Sequence, residues 1–191
     1  MLDRQPTLEG PTLTLRPLRE DDWEALFAVA SDPLIWEVHP AHDRWREPVF
    51  RAFFADALAN RGALIVVERT SGAVIGSSRY QGLEQNGGGS VEIGWTFLAR
   101  SHWGGATNRE MKRLMVGHAL ESVAECRFAV GAANHRSRRA MEKIGGRLTD
   151  RTETRGMAGK DSAHVFYAIG RAEFAGRPLG RMEHAPPHFQ K

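Results

Sequence analysis

Residues 90–108 read SVEIGWTFLARSHWGGATN, and this stretch decides the fold. The apolar residues of its first half occupy every second position, at Val91, Ile93, Trp95 and Phe97. A period of two predicts a strand with one strongly apolar face. Gly94 lies inside this run, where a glycine weakens the ladder and indicates a bulge or the close approach of another backbone.

A glycine turn, WGGA at residues 103–106, follows the strand. Beyond it, Met111, Leu114 and Met115 fall at helical spacing, which predicts a helix over residues 110–122. A helix that begins after glycines offers unpaired N–H groups and the positive end of its dipole, and both suit a phosphate. The turn therefore indicates a nucleotide-like ligand at a strand-to-helix junction. A glycine turn that serves only helix packing is the alternative.

Working outward from this stretch, apolar periodicity and turn signals predict the remaining elements. The predicted strands cover residues 13–17, 63–69, 73–83, 126–132, 147–155 and 164–169, and the predicted helices cover residues 20–30, 47–60 and 136–144. The second of these helices should bury Phe50, Phe53, Phe54, Ala57 and Leu58. We expect one domain over residues 1–170, followed by a loosely ordered C-terminal tail over residues 171–191.

Size and composition are those of one ordinary globular domain. The chain has 191 residues, of which 41% are apolar and 26% charged. It has no apolar run of membrane-spanning length and no secretion signal. The single cysteine, Cys126, excludes an internal disulfide and favours a cytoplasmic location.

Charge is distributed unevenly along the chain. Residues 1–60 hold six arginines and eleven acidic residues, a balance of −5, and the remaining residues carry +8. A polyanionic ligand should therefore favour the second part, and a cationic acceptor the first.

Four segments resemble the GNAT superfamily of acyl-CoA-dependent N-acyltransferases, and its RimJ/RimL-type ribosomal-protein branch most closely. They are LTLRPLREDDWEAL at residues 13–26, SDPLIWE at 31–37, VEIGWTFLARSHWGGA at 91–106 and NHRSRRAMEKIGG at 134–146. The resemblance implies an α/β (α+β) fold. In it a mixed, mostly antiparallel sheet of about six to seven strands is splayed at the middle, with helices on both faces. It also implies transfer of an acetyl group from acetyl-CoA to a primary amine, on a peptide or a small molecule, by direct attack in a ternary complex.

The resemblance assigns contacts with the coenzyme to three segments. Phe97, Leu98 and Ala99 inherit the bulged strand whose backbone pairs with the pantetheine arm. Ser101 stands where the family usually has Gln or Arg, although backbone N–H groups can bind a phosphate without that side chain. The pyrophosphate loop corresponds to Trp103, Gly104, Gly105, Ala106 and Thr107.

Asn134 and Ser137 match the family's Asn-x-x-Ser at the next strand-to-helix junction. The Asn134 side chain can bond the pantetheine amides, cap the helix, or do both. The family often has a tyrosine further along this helix that protonates the departing thiolate, but residues 140–143 read AMEK. Ser137 is the nearest polar substitute.

Glu92 is the candidate general base, which would accept the amine proton through water. A surface carboxylate on a half-exposed strand is the alternative. Trp36 and Trp45 lie in the region that forms the acceptor pocket in this family. His39 and His42 form an H-x-x-H pattern without a nearby third ligand, so we expect no metal site.

Two competing functions remain at this stage. A non-catalytic acyl-CoA-binding module is favoured by the missing tyrosine and by Ser101. Nucleic-acid binding through the basic helix ranks last, because that helix has no interleaved exposed aromatics. We therefore expect acetyl-CoA and an amine acceptor as partners, with neither nucleic acid nor membrane, and leave a homodimer open.

Overall fold

A computed structural model describes residues 1–175 and residue 179. Over this part of the chain, eight strands form one sheet in the order β1-β2-β3-β4-β5-β6-β8-β7. Neighbouring strands are antiparallel except for β5 and β6. The strands are β1 (Leu8–Glu9), β2 (Leu13–Pro17), β3 (Ala63–Glu68), β4 (Val74–Glu84), β5 (Ser90–Leu98), β6 (Glu125–Gly131), β7 (Arg147–Met157) and β8 (Lys160–Gly170).

Helices cover both faces of the sheet, which confirms the expected mixed, mostly antiparallel fold. They are α1 (Trp23–Ala30), α2 (Pro33–Trp36), α3 (Glu47–Asn60), α4 (Thr107–Ser122), α5 (His135–Lys143) and α6 (Arg171–Phe174). The sheet has eight strands rather than six to seven, because the two-residue β1 joins its edge beside β2. Residues 171–174 of the predicted tail form α6, and the rest of that prediction, except residues 175 and 179, lies outside the described residues. No helix in the described ranges is both long and apolar enough to cross a membrane.

The sheet separates two apolar cores. On one face, α4 packs Met111, Met115 and Val116 against β-strand residues that include Val91 and Ile93. The other face holds the aromatic core between the sheet and α1–α3, with Trp36, Phe50, Phe54 and Phe97. Phe50, Phe54 and Ala57 of the predicted helix face are buried, and Phe53 and Leu58 are partly buried.

The sheet opens between its two parallel strands. β5 and β6 pair at only three positions, from Ser90 opposite Glu125 to Glu92 opposite Arg127. Beyond Glu92 the two strands diverge.

A β-bulge bends β5 away at the same point. Two residues, Trp95 and Thr96, oppose Ser78 alone on β4, so the predicted bulge is confirmed. The unusual backbone conformation belongs to Trp95, whose φ is 52°, and not to Gly94 beside it.

β4 can pass the bulged strand closely only because residue 76 is a glycine. A Cβ atom there would lie 2.1 Å from the carbonyl oxygen of Phe97. We expect Gly76→Ala to destabilise the fold by about 1–3 kcal/mol, as overpacking does. Gly156, which has open space around it, is the matched control, and Gly156→Ala should change stability by less than about 0.5 kcal/mol. Urea unfolding measures both; equal losses would show that the close approach is unimportant.

Candidate active site

A cavity of about 770 Å³ fills the opening between β5 and β6. Residues 93–98 of β5 form one side and residues 128–131 of β6 the other. Lys112 of α4 also lines the cavity. Trp36 and Arg44 line it near the aromatic core. Its lining includes Gly104 and Gly105 of the glycine turn as well as Trp36 and Phe97 of the aromatic core, and we call this cavity the slot.

The glycine turn gives one end of the cavity an anion-binding character. Gly104 adopts a φ of 75° and Gly105 has open space around it, so the backbone is accessible just before α4 begins at Thr107. The rim adds the basic side chains of Arg136, Arg139 and Lys143. These features fit the pyrophosphate and 3′-phosphate of a coenzyme A molecule.

Arg136 and Trp103 close this end of the cavity. The Arg136 guanidinium lies 4.1 Å from the centroid of the Trp103 ring and donates a 3.0 Å hydrogen bond to the carbonyl oxygen of Ile35. The Trp103 indole N–H donates to the carbonyl oxygen of Leu98 at 3.0 Å. Burial lowers the pKa of Arg136, against an opposing effect of Glu37.

Most of the residues predicted for the site lie around this one cavity. Trp36, Phe97, Leu98, Trp103, Gly104, Gly105, Asn134 and Ser137 line it. Ala99, Ala106 and Thr107 do not line it, although they flank residues that do. Trp45 does not line it either: its side chain is 37% exposed and stacks with Arg46.

Asn134 caps α5, as one of its two predicted roles requires. Its side-chain oxygen accepts a hydrogen bond from the backbone N–H of Ser137 at 3.1 Å. Asn134 is buried, and the cap fixes the loop between β6 and α5 at the edge of the cavity.

Glu92 forms an ion pair with Arg155. Both carboxylate oxygens accept 3.0 Å hydrogen bonds from that guanidinium. The hydrogen bond to Glu92 raises the pKa of Arg155, and Glu153 adds to the effect. Arg155 lines the cavity whereas Glu92 lies behind it, so the base role of Glu92 stays a prediction.

His39 lies inside the cavity wall as a neutral ring. Its Nδ1 accepts a hydrogen bond from the backbone N–H of Ala41 at 2.9 Å, and its ring meets Trp36 edge-on. Burial, followed by the charges of Arg44, His164 and Arg136, lowers the pKa of His39 to about 3. Within the described ranges, no group of three or more His, Cys, Asp or Glu side chains is arranged to hold a metal ion.

Lys112 is the functional candidate that the sequence analysis missed. It is only 4% exposed, and its Nζ donates to Thr96 Oγ1 at 2.7 Å and to Ser78 Oγ at 3.4 Å. Burial lowers the pKa of Lys112 to about 7. Its helical spacing with the buried Val116 and Leu120 could have revealed a lysine at a core position.

Comparisons with known proteins agree with this geometry. The family model of the acetyltransferase (GNAT) domain matches residues 12–147. A putative acetyltransferase from T. thermophilus is 25% identical, with 92% of this chain and 95% of that chain covered and a TM-score of 0.76. A Mycobacterium smegmatis RimJ in complex with CoA-disulfide is 20% identical, with 94% and 95% covered and a TM-score of 0.71. No curated protein sequence gives a significant match.

Fold and cavity together define an acyltransferase. The chain belongs to the GNAT acetyltransferase family, whose members transfer acetyl groups from acetyl-CoA to amines. The family expectation is therefore confirmed. The likeness to RimJ shows the shared fold, and the RimJ/RimL branch stays a prediction.

The buried charge of Lys112 should make stability depend on pH. Because its pKa falls from 10.5 to about 7 on folding, the unfolded chain binds an extra proton above pH 7. The free energy of unfolding should then rise with pH, by about 2 kcal/mol between pH 7 and 8.5. This window lies below the titration of Cys126, whose pKa burial raises to about 12.

Urea unfolding across that window should show the rise in the wild type and a flatter curve in Lys112→Met. Lys160→Met, at an exposed position, is the control and should behave like the wild type. The account of Lys112 is wrong if wild type and Lys112→Met have the same slope.

Proposed function

We propose that this protein is an acetyl-CoA-dependent N-acetyltransferase that acetylates a primary amine by direct attack in a ternary complex. The observation that carries the proposal is the slot in the split sheet, whose lining includes Gly104 and Gly105 of the glycine turn as well as Trp36 of the aromatic core. A slot lined by both regions allows the donor and the acceptor to meet inside the split sheet. The RimJ/RimL resemblance favours the α-amine of a peptide as acceptor, and a small amine is the other candidate.

Acetyl-CoA binding is assigned to the backbone and side chains along one half of the slot. Phe97, Leu98 and Ala99 receive the pantetheine arm, because β5 has lost its β6 partner there. Asn134 and Ser137 face the same arm from the opposite strand-to-helix junction. The pyrophosphate is assigned to the backbone of Trp103, Gly104, Gly105, Ala106 and Thr107.

The chemistry needs a fixed thioester, a neutral amine and a stabilised leaving group. Orienting the two reactants can contribute roughly 7–11 kcal/mol. Glu92 is assigned the role of general base, which accepts the amine proton through water. Ser137 is assigned the role of assisting the departing thiolate. The amine nitrogen bonds to the acetyl carbon as the carbon–sulfur bond breaks, and the proton lost by nitrogen balances the proton gained by sulfur.

A non-catalytic acyl-CoA-binding module is the second candidate. The ion pair between Glu92 and Arg155 favours it, since both carboxylate oxygens of Glu92 already accept hydrogen bonds from that guanidinium. Thiol release from acetyl-CoA in the presence of amines separates the two functions, because a binding module releases no thiol.

Gly105→Val tests the donor site. A side chain at position 105 meets open space in the free protein, but it would occupy the region assigned to the pyrophosphate. The dissociation constant for acetyl-CoA should rise about tenfold or more in isothermal titration, which corresponds to about 1.4 kcal/mol. Gly156→Val, also in open space but outside the slot, should leave binding unchanged. Equal affinity in all three proteins would place the phosphates elsewhere.

Glu92→Gln tests the general base. Turnover at neutral pH should fall about 100-fold with acetyl-CoA affinity unchanged, because amide nitrogen and oxygen cannot take the proton. Glu153→Gln is the matched control, since Glu153 also accepts from Arg155, at 3.2 Å. The role of Glu92 is refuted if both variants lose the same small fraction of turnover.

A further inference from the structure

Building on the proposed function, we infer that the acceptor amine belongs to a molecule that also carries an anionic oxygen group, which Arg44 binds. The inference concerns the end of the slot opposite the glycine turn. There the aromatic core supplies flat walls and arginines supply the polar groups. Such a mixture of apolar walls and a few placed charges is typical of a site that orients a small charged ligand.

Arg44 is a cation inside the slot without a carboxylate partner. Its guanidinium stacks against Phe53 at 4.5 Å and Trp36 at 5.5 Å from the ring centroids. No hydrogen bond or ion pair joins it to any described residue, and Asp43 and Asp56 act on it only through longer-range attraction. Burial, followed by the charge of Arg79, lowers the pKa of Arg44 to about 10. A guanidinium keeps its charge and binds a carboxylate through two parallel hydrogen bonds, so the half-buried Arg44 is available to a ligand.

Arg79 adds a second guanidinium close to the Phe53 ring. It is 4% exposed, lies 5.3 Å from the Phe53 centroid and 5.6 Å from that of Trp95. Its Nη1 donates to Asp56 at 2.6 Å, but its Nε and Nη2 are buried without a hydrogen-bond partner. Unpaired buried polar groups are rare because each loses the hydrogen bonds of water without replacement. Arg79 therefore strengthens the positive potential behind Arg44.

Two of the neighbouring carboxylates are already engaged. Asp56 pairs with Arg79, and Glu92 pairs with Arg155. The acceptor end thus has one guanidinium, that of Arg44, which faces the slot and lacks an anion among the described residues. The negative net charge of residues 1–60 suggests a cationic acceptor. The arginines that line the slot favour an acceptor with an anionic group instead.

Matched acceptors that differ only in the anionic group provide the test. The pairs are L-phenylalanine against L-phenylalaninamide, the amidated peptide Ser-Glu-Ala against Ser-Gln-Ala, and phosphoethanolamine against ethanolamine. Initial rates of thiol release from acetyl-CoA give kcat/KM for each. In at least one pair the anionic member should be preferred about tenfold or more, the fold-change that one charge-assisted hydrogen bond supplies. The preferred pair distinguishes an α-carboxylate, an acidic peptide side chain and a phosphate.

Arg44→Gln should abolish that preference mainly by raising KM for the anionic member, so that the two members of the pair have similar values of kcat/KM. Arg46→Gln is the control, because Arg46 stacks on Trp45 outside the slot. The inference is overturned if kcat/KM is the same for the neutral and the anionic member of every pair. It is also overturned if the preference for the anionic member survives in Arg44→Gln. In either case thiol release with any amine still supports the proposed function. If none of the acceptors gives thiol release, both the inference and the proposed function are contradicted. Titration with acetyl-CoA then decides whether the protein still binds the donor.

Discussion

The early end of the pairing between β5 and β6 is the constraint on which the site depends. A strand that loses its neighbour in mid-sheet leaves backbone N–H and C=O groups that must find other partners. The protein satisfies one of them internally, since the Trp103 indole N–H bonds the carbonyl oxygen of Leu98. The edge of β5 from Ile93 onward lines the slot, where the amide groups of a pantetheine arm can complete the ladder.

The bulge decides the direction in which the side chains of β5 point. The extra residue in β5 turns Thr96 towards Ser78 and Lys112 on the α4 side of the sheet. Trp95 is directed towards Arg79 and Arg155, and Phe97 packs in the aromatic core. The two faces of this one strand thus meet different sets of side chains. The positive φ of Trp95 is the local backbone strain associated with this arrangement.

The elements of the fold could be predicted because their signals are local. Alternation over residues 90–98 and the glycine turn identify β5 and the start of α4, and Asp32 and Pro33 mark the end of α1. The two-residue β1 and the four-residue α2 are too short to show a period, so they were not predicted.

The charged network of the site could not be predicted, because its partners lie far apart in sequence. Glu92 and Arg155 are separated by 63 positions, and Asp56 and Arg79 by 23. Only the tertiary fold brings them together. Lys112 differs, since its place in the apolar stripe of α4 is visible in the sequence, although lysines are rarely buried.

Amide hydrogen exchange with and without acetyl-CoA tests the central claim most directly. If the coenzyme completes the ladder of β5, saturating acetyl-CoA should slow exchange across residues 93–98 and at the glycine turn, residues 104–108. Residues 90–92 already pair with β6 and should change little. Unchanged exchange over residues 93–98 in a protein that binds acetyl-CoA would contradict the account.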